Sequence, residues 1–426
     1  MPDVHKQRLL LDRLNAVSPL DDATAFVLLW TYFEAIGLSE VENAFALHYI
    51  SAQTIEPVPK KAESRRYDAS RVVARLTNML QAAAFDQLAI AWLKGIDARL
   101  AVRRGTFEHA AIEGFGGDRY RVRPTNNIVA SWFARAGREI AGSRKQSISL
   151  SAYCRQFRVV PAAAVHGFEI RCVSSSEWGN PFIDDRLRDA ANGTLRFLCW
   201  PLRTPLRTER TPAVNEGWFV RVSVAAGDEK RRQELERAVT AARTEKAAIL
   251  VLPELSIAER DILFLREILS RHGDDAFPIL TVAGIEHTRR AGAWINEAVT
   301  LGPDGRELRR HRKLSRYGAA DLEEDTQTGT RFEVLESPIG NLATLICLDV
   351  FHQKVRYVVE QSHANMLLAP SLSPHTSAHE SAARGYLATN LAVTLVTNRW
   401  LDDPDTGRDA TFAFLPGKAI RATRFC

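Results

Sequence analysis

The feature that most narrows the fold is a set of short apolar runs that each stop on a polar or reactive residue. Gly340–Phe351 reads GNLATLICLDVF, with an apolar run from Leu342 to Ile346 followed by Cys347 and Asp349. A strand that is apolar without alternation is buried on both faces, so helices or a second sheet must cover each side. The pattern places a thiol at the carboxyl end of a strand, where open α/β sheets hold their ligands. Asp349 is then expected to cap a helix that starts just after it.

Other stretches of the second half repeat this design. Leu195–Trp200 and Trp218–Val224 read as strands, and Gly227-Asp228 opens a helix with Leu235, Ala238, Val239 and Ala242 on one face. AAILVLPEL follows as a continuous apolar strand, Ala248–Leu252, ending in Pro253-Glu254. A strand, helix and strand in such close succession specify an α/β layer architecture. A helix near Ile257–Ser270 and a buried strand at Pro278–Gly284 come next. Ala298–Leu301 and Glu307–Arg312 flank the turn GPDG and deliver Lys313. Phe332–Leu335 and Asn341–Ile346 bracket a second turn and deliver Cys347. Met366–Ala369 and Val393–Val396 are further strands, with a helix near Ser377–Leu387 between them. Ala410–Leu415 and a short basic tail close the chain.

The first half has another character. Residues 1–105 read as a helical bundle: Asp22–Ile36 stops at Gly37, Ser39 with Glu42 is a capping box for a helix to about Ile50, and Ile55–Arg66 is a Pro- and charge-rich linker. From Ala69 to Leu100 the helical period returns, with Val72, Val73, Leu76, Met79 and Leu80 on one face. Lys60, Lys61, Arg65, Arg66, Arg71 and Arg75 suit a solvated face, with contact to nucleic acid as the sharper alternative. Residues 106–194 read as a connector or a continuation of the helical domain. They contain a helical stretch near Ile128–Ile140 and strand candidates at Val159 and Phe168–Val173. GFGGD at Gly114–Asp118 has no GK[ST] after it and reads as a plain turn. Residues 195–426 form the α/β domain.

Composition excludes rather than assigns. A formal charge of +5 over 426 residues allows an anionic partner without arguing for one. The five cysteines (Cys154, Cys172, Cys199, Cys347 and Cys426) form no CxxC pair, which fits reduced thiols rather than a disulfide framework. The amino terminus lacks the pattern of a secretory signal, and Phe26–Ile36 is too short to span a bilayer. The expectation is a soluble, cytoplasmic protein with no membrane partner.

Glu254, Lys313 and Cys347 thus stand at strand ends in one domain. A thiol is mostly protonated at neutral pH and needs a base or a cation to become an effective nucleophile. A carboxylate can take its proton and return it to a leaving amine. An ammonium can stabilise the oxyanion of a tetrahedral intermediate, and the Leu348 N–H is a natural second donor. Singly, a cysteine at a strand end is ordinary packing and a lysine after a hairpin is ordinarily solvated; the joint pattern carries the argument.

LVLPELS, RRHRKLSRYG and IGNLATLICLDVF resemble, in order and spacing, the signatures of the nitrilase, or carbon–nitrogen hydrolase, superfamily. WINEAVTLGPDGRELRRHRK, NMLLAPSLSP and LVTNRW are similar to its intervening and later strands. The resemblance covers about residues 195–417. It implies a four-layer αββα sandwich, a Glu-Lys-Cys triad acting on a small-molecule amide ahead of a nitrile through an acyl-thioester, and no cofactor or metal. Glu254 becomes the general base and acid, Lys313 the oxyanion stabiliser and Cys347 the nucleophile. Many members add a second glutamate; Glu323 and Glu324 lie in the interval, with Glu324 favoured. The family's arginine after the nucleophile is missing here, and its homo-oligomeric assembly is expected with the C-terminal element shortened.

Three other readings stand beside this one. His375 and His379, followed by Glu380, have a spacing that could present zinc on a helix, but no third ligand is evident and a surface or pocket-lining pair is the plainer reading. His352 is close to Cys347 in sequence, yet it sits poorly for a Cys-His pair. The rival function is a binding or regulatory module whose helical half engages a protein or nucleic acid, in a setting such as a bacterial defence system.

Overall fold

The computed structural model describes residues 3–37, 69–80, 83–102, 111–125, 150, 154, 156–178, 182–192, 194–202, 205–212, 218–225, 228–271, 273, 277–319, 322–390, 392–399, 411–415 and 418–421. The capping box at Ser39, the linker with Lys60, Lys61, Arg65 and Arg66, and the helical stretch near Ile128–Ile140 lie outside these residues.

The amino-terminal body is helical first. α1 (Val4–Ala16) and α2 (Asp22–Ile36) each start on an aspartate that accepts a first-turn N–H: Asp3 from Lys6 at 3.1 Å and Asp21 from Thr24 at 2.8 Å. Gly37 ends α2 at φ 91°, a backbone region that favours glycine. α3 (Ala69–Asn78) and α4 (Ala83–Val102) complete the group. Residues Ala25–Phe33 of α2 are buried without a break, so this helix is enclosed by the others rather than laid on a surface. Leu10 and Leu14 of α1, Val73 and Leu76 of α3, and Trp92 and Ile96 of α4 join its core.

A small antiparallel sheet then packs on the helices: β1 (Ile112–Glu113), β2 (Arg119–Pro124) and β3 (Phe157–Pro161). GFGGD is the turn between β1 and β2. There the Gly114 N–H donates to the Asp118 carbonyl at 2.7 Å and Gly117 takes φ 93°. Asp97 of α4 accepts the Phe157 N–H at 2.8 Å and fixes this sheet to the bundle.

The second body follows the chain through β4 (Glu169–Ser174), α5 (Phe182–Asn192), β5 (Phe197–Cys199), β6 (Leu206–Pro212), β7 (Trp218–Val224), α6 (Asp228–Thr244), β8 (Ile249–Val251), α7 (Glu259–Ser270) and β9 (Leu280–Gly284). It continues with β10 (Thr288–Arg290), β11 (Ala293–Ile295), β12 (Glu297–Leu301), β13 (Glu307–Arg312), β14 (Gly318–Ala319), β15 (Leu322–Glu324), β16 (Arg331–Glu336) and β17 (Asn341–Thr344). α8 (Gln353–Ser362), β18 (Met366–Ser371), α9 (Ser377–Thr389), β19 (Val393–Asn398), β20 (Phe412–Leu415) and β21 (Lys418–Arg421) complete it.

Two sheets stack face to face. One has the order β13-β12-β9-β8-β5; the other has β21-β20-β19-β18-β17-β16-β4. Strand alternation sorts their residues. Ile249, Val251 and Val282 meet Leu342, Met366, Leu368 and Leu395 between the sheets. On the far face of the first sheet, Leu250 and Leu252 pack under Leu235 and Val239 of α6 and Leu265 of α7. On the far face of the second, Leu367 and Ala369 pack under Val355 and Val359 of α8 and Tyr386 of α9. The order helix, sheet, sheet, helix is the four-layer αββα sandwich that the sequence resemblance implies.

Several details differ from the expectations. β4 pairs in parallel with β16, so the larger sheet reaches upstream of residue 195. β7 joins neither stacked sheet and instead forms a small sheet of order β14-β15-β7-β6. The basic stretch beyond Leu415 contains β21, paired with β20. Among the described residues no helix is long and apolar enough to cross a membrane.

Candidate active site

The site forms where strands of both stacked sheets end. Glu254 follows β8 past Pro253, and Gly284 at the end of β9 lies flat against it. A Cβ at position 284 would come within 2.5 Å of both the Glu254 Cα and the Pro253 carbonyl. Only glycine admits that approach, so Gly284 sets where the glutamate backbone lies. Lys313 follows β13, and its N–H donates to the Asn296 carbonyl at 2.8 Å. Gly305 at φ 76° completes the GPDG turn that brings β13 back along β12.

The Lys313 ammonium is buried and bridges two carboxylates, Glu254 Oε1 and Glu324 Oε2, each at 2.9 Å. Asn296 Nδ2 reinforces the bridge, donating to Glu254 Oε1 at 2.8 Å and to Glu324 Oε1 at 2.7 Å. His287 approaches from the other side, with Nε2 2.9 Å from Glu324 Oε1. The Val222 N–H donates to His287 Nδ1 at 3.0 Å, so the ring proton sits on Nε2 and is donated to Glu324. The small sheet therefore has a task at the site: β7 orients His287 and β15 carries Glu324.

Alternation along β15 settles which of the adjacent glutamates reaches the lysine. Glu324 is buried and bound to Lys313, whereas Glu323 points to the opposite, exposed side.

Electrostatics follow from this packing. Burial alone would lower the Lys313 pKa, but the Glu254 and Glu324 charges outweigh it and hold the value well above the ordinary range. Burial likewise pushes Glu324 up, and Lys313 with His287 reverses that, leaving it well below the usual carboxylate range. Among the described residues, Glu254 Oε2 has no hydrogen-bond partner, since Lys313 and Asn296 both take Oε1.

Cys347 lies beside this array in a tight bend. β17 ends at Thr344, and Cys347 opens a 3₁₀ turn, Cys347–Val350, with φ 49°. A cysteine in the left-handed region is uncommon, and the bend presents its side chain as a regular strand end could not. The thiol is buried and bonds to neither Glu254 nor Lys313; Sγ lies 3.7 Å from the Leu372 carbonyl. Burial and then the Glu254 charge push its pKa up to about 12, with Lys313 pulling the other way. At rest the group is a thiol, not a thiolate. The Leu348 N–H, next along the turn, donates to no acceptor among the described residues.

Asp349 does not cap the α-helix that follows it, contrary to its sequence signature. α8 begins four residues on, with His352 at its N-cap, and Asp349 instead accepts N–H groups from Leu314, Ser315 and Ile346. His352 therefore serves as a helix boundary residue. His379 is buried and its Nε2 meets Ser371 Oγ at 3.1 Å, while His375 is exposed. Among the described residues no group of three or more His, Cys, Asp or Glu side chains could hold a metal ion, and the zinc reading gains no third ligand.

Sequence reasoning missed Asn296, His287 and Gly284. Asn296 stands within WINEAVTLGPDG, the stretch whose likeness to the family was noted, so its position was available as a signal. His287 had none, because β7 meets it only through the small sheet.

Residues 220–399 match the model of the carbon-nitrogen hydrolase family. The match covers the part of the chain that builds the site and does not extend to the helical amino-terminal residues. Solved structures with similarity include a carbon-nitrogen hydrolase from Helicobacter pylori G27, at 20% identity over 46% of this chain and 80% of that one, TM-score 0.38. An amidase from Nesterenkonia sp. is 17% identical over 45% of this chain and 79% of its own, TM-score 0.37. A glutamine-dependent NAD+ synthetase from Acinetobacter baumannii is 20% identical over 46% of this chain and 40% of its own, TM-score 0.37. No curated protein matches the sequence.

Proposed function

We propose that the chain hydrolyses a non-peptide carbon–nitrogen bond, an amide ahead of a nitrile, with Cys347 as nucleophile. The observation that carries this reading is the buried Glu254–Lys313–Glu324 bridge beside a thiol held in a left-handed bend.

Because the resting thiol is protonated, a base must act as the sulfur attacks. Glu254 fits that role, since Oε2 stays free while Oε1 is anchored. In the first step the Cys347 sulfur bonds to the carbonyl carbon, the thiol proton passes to Glu254, and the carbonyl π-electrons move onto oxygen. The negative charge leaves a carboxylate and appears on the oxyanion, so the net charge of the dry site does not change. Lys313 and the Leu348 N–H stabilise that oxyanion. Collapse of the intermediate expels ammonia or an amine, which takes the proton back from Glu254 and leaves an acyl-thioester. Water, deprotonated by Glu254, then releases the acid and restores the thiol.

Glu324, Asn296 and His287 act behind the reacting groups. They keep the lysine charged and fix its direction, which preorganises the site before substrate arrives. The test is ammonia release from a panel of small primary amides. Turnover by the wild type should vanish in Cys347→Ala. Turnover that survives the substitution would sink the mechanism.

A further inference from the structure

The proposed chemistry leaves unused a buried carboxylate in the turn that carries the nucleophile. Asp349 lies two residues past the nucleophile and is fully buried. It accepts the Leu314 N–H at 3.1 Å to each oxygen, the Ser315 N–H at 2.8 Å and the Ser315 hydroxyl at 2.5 Å. The Ile346 N–H completes the set at 3.1 Å. The first three donors lie on the segment directly after Lys313, and the last lies directly before Cys347. One side chain thus joins the two segments that carry the ammonium and the thiol, although they are more than thirty residues apart in sequence.

We propose that Asp349 is a positioning residue that holds Lys313 and Cys347 in register, and that its ionised form does so most firmly. The proposal rests on Cys347 being the nucleophile. The three backbone N–H groups bonded to Asp349 can only donate, and the ionised carboxylate accepts them as charge-assisted bonds; a protonated carboxyl holds them more weakly, even where the Ser315 hydroxyl turns to accept its proton. The titratable groups around it do not replace that lost negative charge. His311 Nε2 lies 4.0 Å from Oδ2, and burial pushes this imidazole down to about 4, leaving it neutral. Lys313 contributes a positive charge, and Tyr386 spends its hydroxyl on the Val350 carbonyl at 2.8 Å.

Burial pushes the Asp349 pKa up to about 6, against the pull of Ser315, Lys313 and the backbone donors. The native value lies above the ordinary 3.8, so the folded state binds this proton more tightly than the unfolded chain. As pH rises from about 4 to about 6, ionisation of Asp349 costs stability while it completes the link between the two segments. Stability and reactivity therefore respond to this group in opposite directions.

The experiment follows carbamidomethylation of Cys347 by iodoacetamide in the full-length protein, read on the Cys347 peptide by mass spectrometry across acid to neutral pH. The ratio of wild-type to Asp349→Asn rates should be about tenfold or more at neutral pH. It should shrink toward unity below about pH 6. A ratio that is constant with pH, or near unity throughout, overturns the proposal. Ser315→Ala covers the case in which Asp349→Asn does not fold. Loss of the hydroxyl removes a group that favours the carboxylate, so the Asp349-dependent inflection in the variant's labelling profile should lie at higher pH than in the wild type's, and coincident inflections overturn the proposal. Glu254→Gln separates the two readings. If it leaves ammonia release from an amide unchanged, the base assignment falls; if it abolishes release while Asp349→Asn labels at the wild-type rate, only the positioning role falls.

Discussion

Gly284→Ala tests whether the position of the Glu254 backbone governs activity, without touching any group that meets substrate. The added Cβ would stand 2.5 Å from the Glu254 Cα and from the Pro253 carbonyl, whereas ordinary contact begins near 3.4 Å. Both obstacles are backbone atoms, so no side chain can swing aside, and the segment must retreat by about 0.9 Å. Glu254 would then lose its alignment with Lys313 and Asn296, both now within hydrogen-bond reach of one oxygen. A misplacement of about 1 Å is enough to cost about a hundredfold in rate. Overpacking at a site this tight costs about 1–3 kcal/mol of stability, which leaves a chain of this size folded. The assay pairs ammonia release on an amide substrate with urea denaturation. A variant that stays folded and loses about two decades of kcat agrees with the geometry. A variant that keeps kcat within about threefold would show that the Glu254 backbone tolerates the shift, and the reasoning would be wrong.

Two further substitutions probe other parts of the structure. Glu324→Gln removes a buried charged partner of Lys313 and should lower kcat by about ten- to a hundredfold, whereas Glu323→Gln on the exposed side of β15 should stay within about twofold; equal effects of the two would refute the assignment by alternation. Glu336→Gln should destabilise the fold by about 3–5 kcal/mol in urea denaturation, because it removes the negative charge shared by buried Arg158 and Arg123 and turns one acceptor into a donor facing them; a loss under about 1 kcal/mol would mean that the cluster does not bind the two halves together.

The parts of the site that could be read from sequence are those written into single strands. Glu254, Lys313 and Cys347 each end a recognisable run, and the stacked sheets follow from strands with no polar face. What stayed hidden depends on contacts between distant segments. Asp349 before a helix has the local pattern of an N-cap, yet its acceptors are used by Leu314 and Ser315, on the far side of β16 and β17. No local rule distinguishes the two uses of an aspartate. Glu323 and Glu324 are equivalent until the register of β15 against β7 is known, which pairs Glu324 with Val220. His287 becomes meaningful only through a backbone bond from Val222, 65 residues away.

The amino-terminal half, whose sequence carries no recognisable chemistry, is joined to the α/β domain at a defined place. Glu336 at the end of β16 accepts Arg123 Nε at 2.9 Å from β2 and Arg158 Nη2 at 2.9 Å from β3. The Trp30 ring of α2 meets His363 edge-on at 5.2 Å, and His166 meets Tyr357 at 4.7 Å. Tyr357 lies on α8 and His363 just beyond it. α8 is the helix that leaves the bend containing Cys347 and Asp349, and it covers the outer face of the strand pair β17 and β18. A buried charge cluster is poor evidence of net stability, but it is strongly directional, since each arginine must find the same carboxylate. The contacts therefore fix the helical half against the element that supports the nucleophile bend. Separating the halves would leave Glu336 without its cations and α8 without its aromatic neighbours. The amino-terminal half is thus better understood as part of the scaffold that holds the bend than as an appended module.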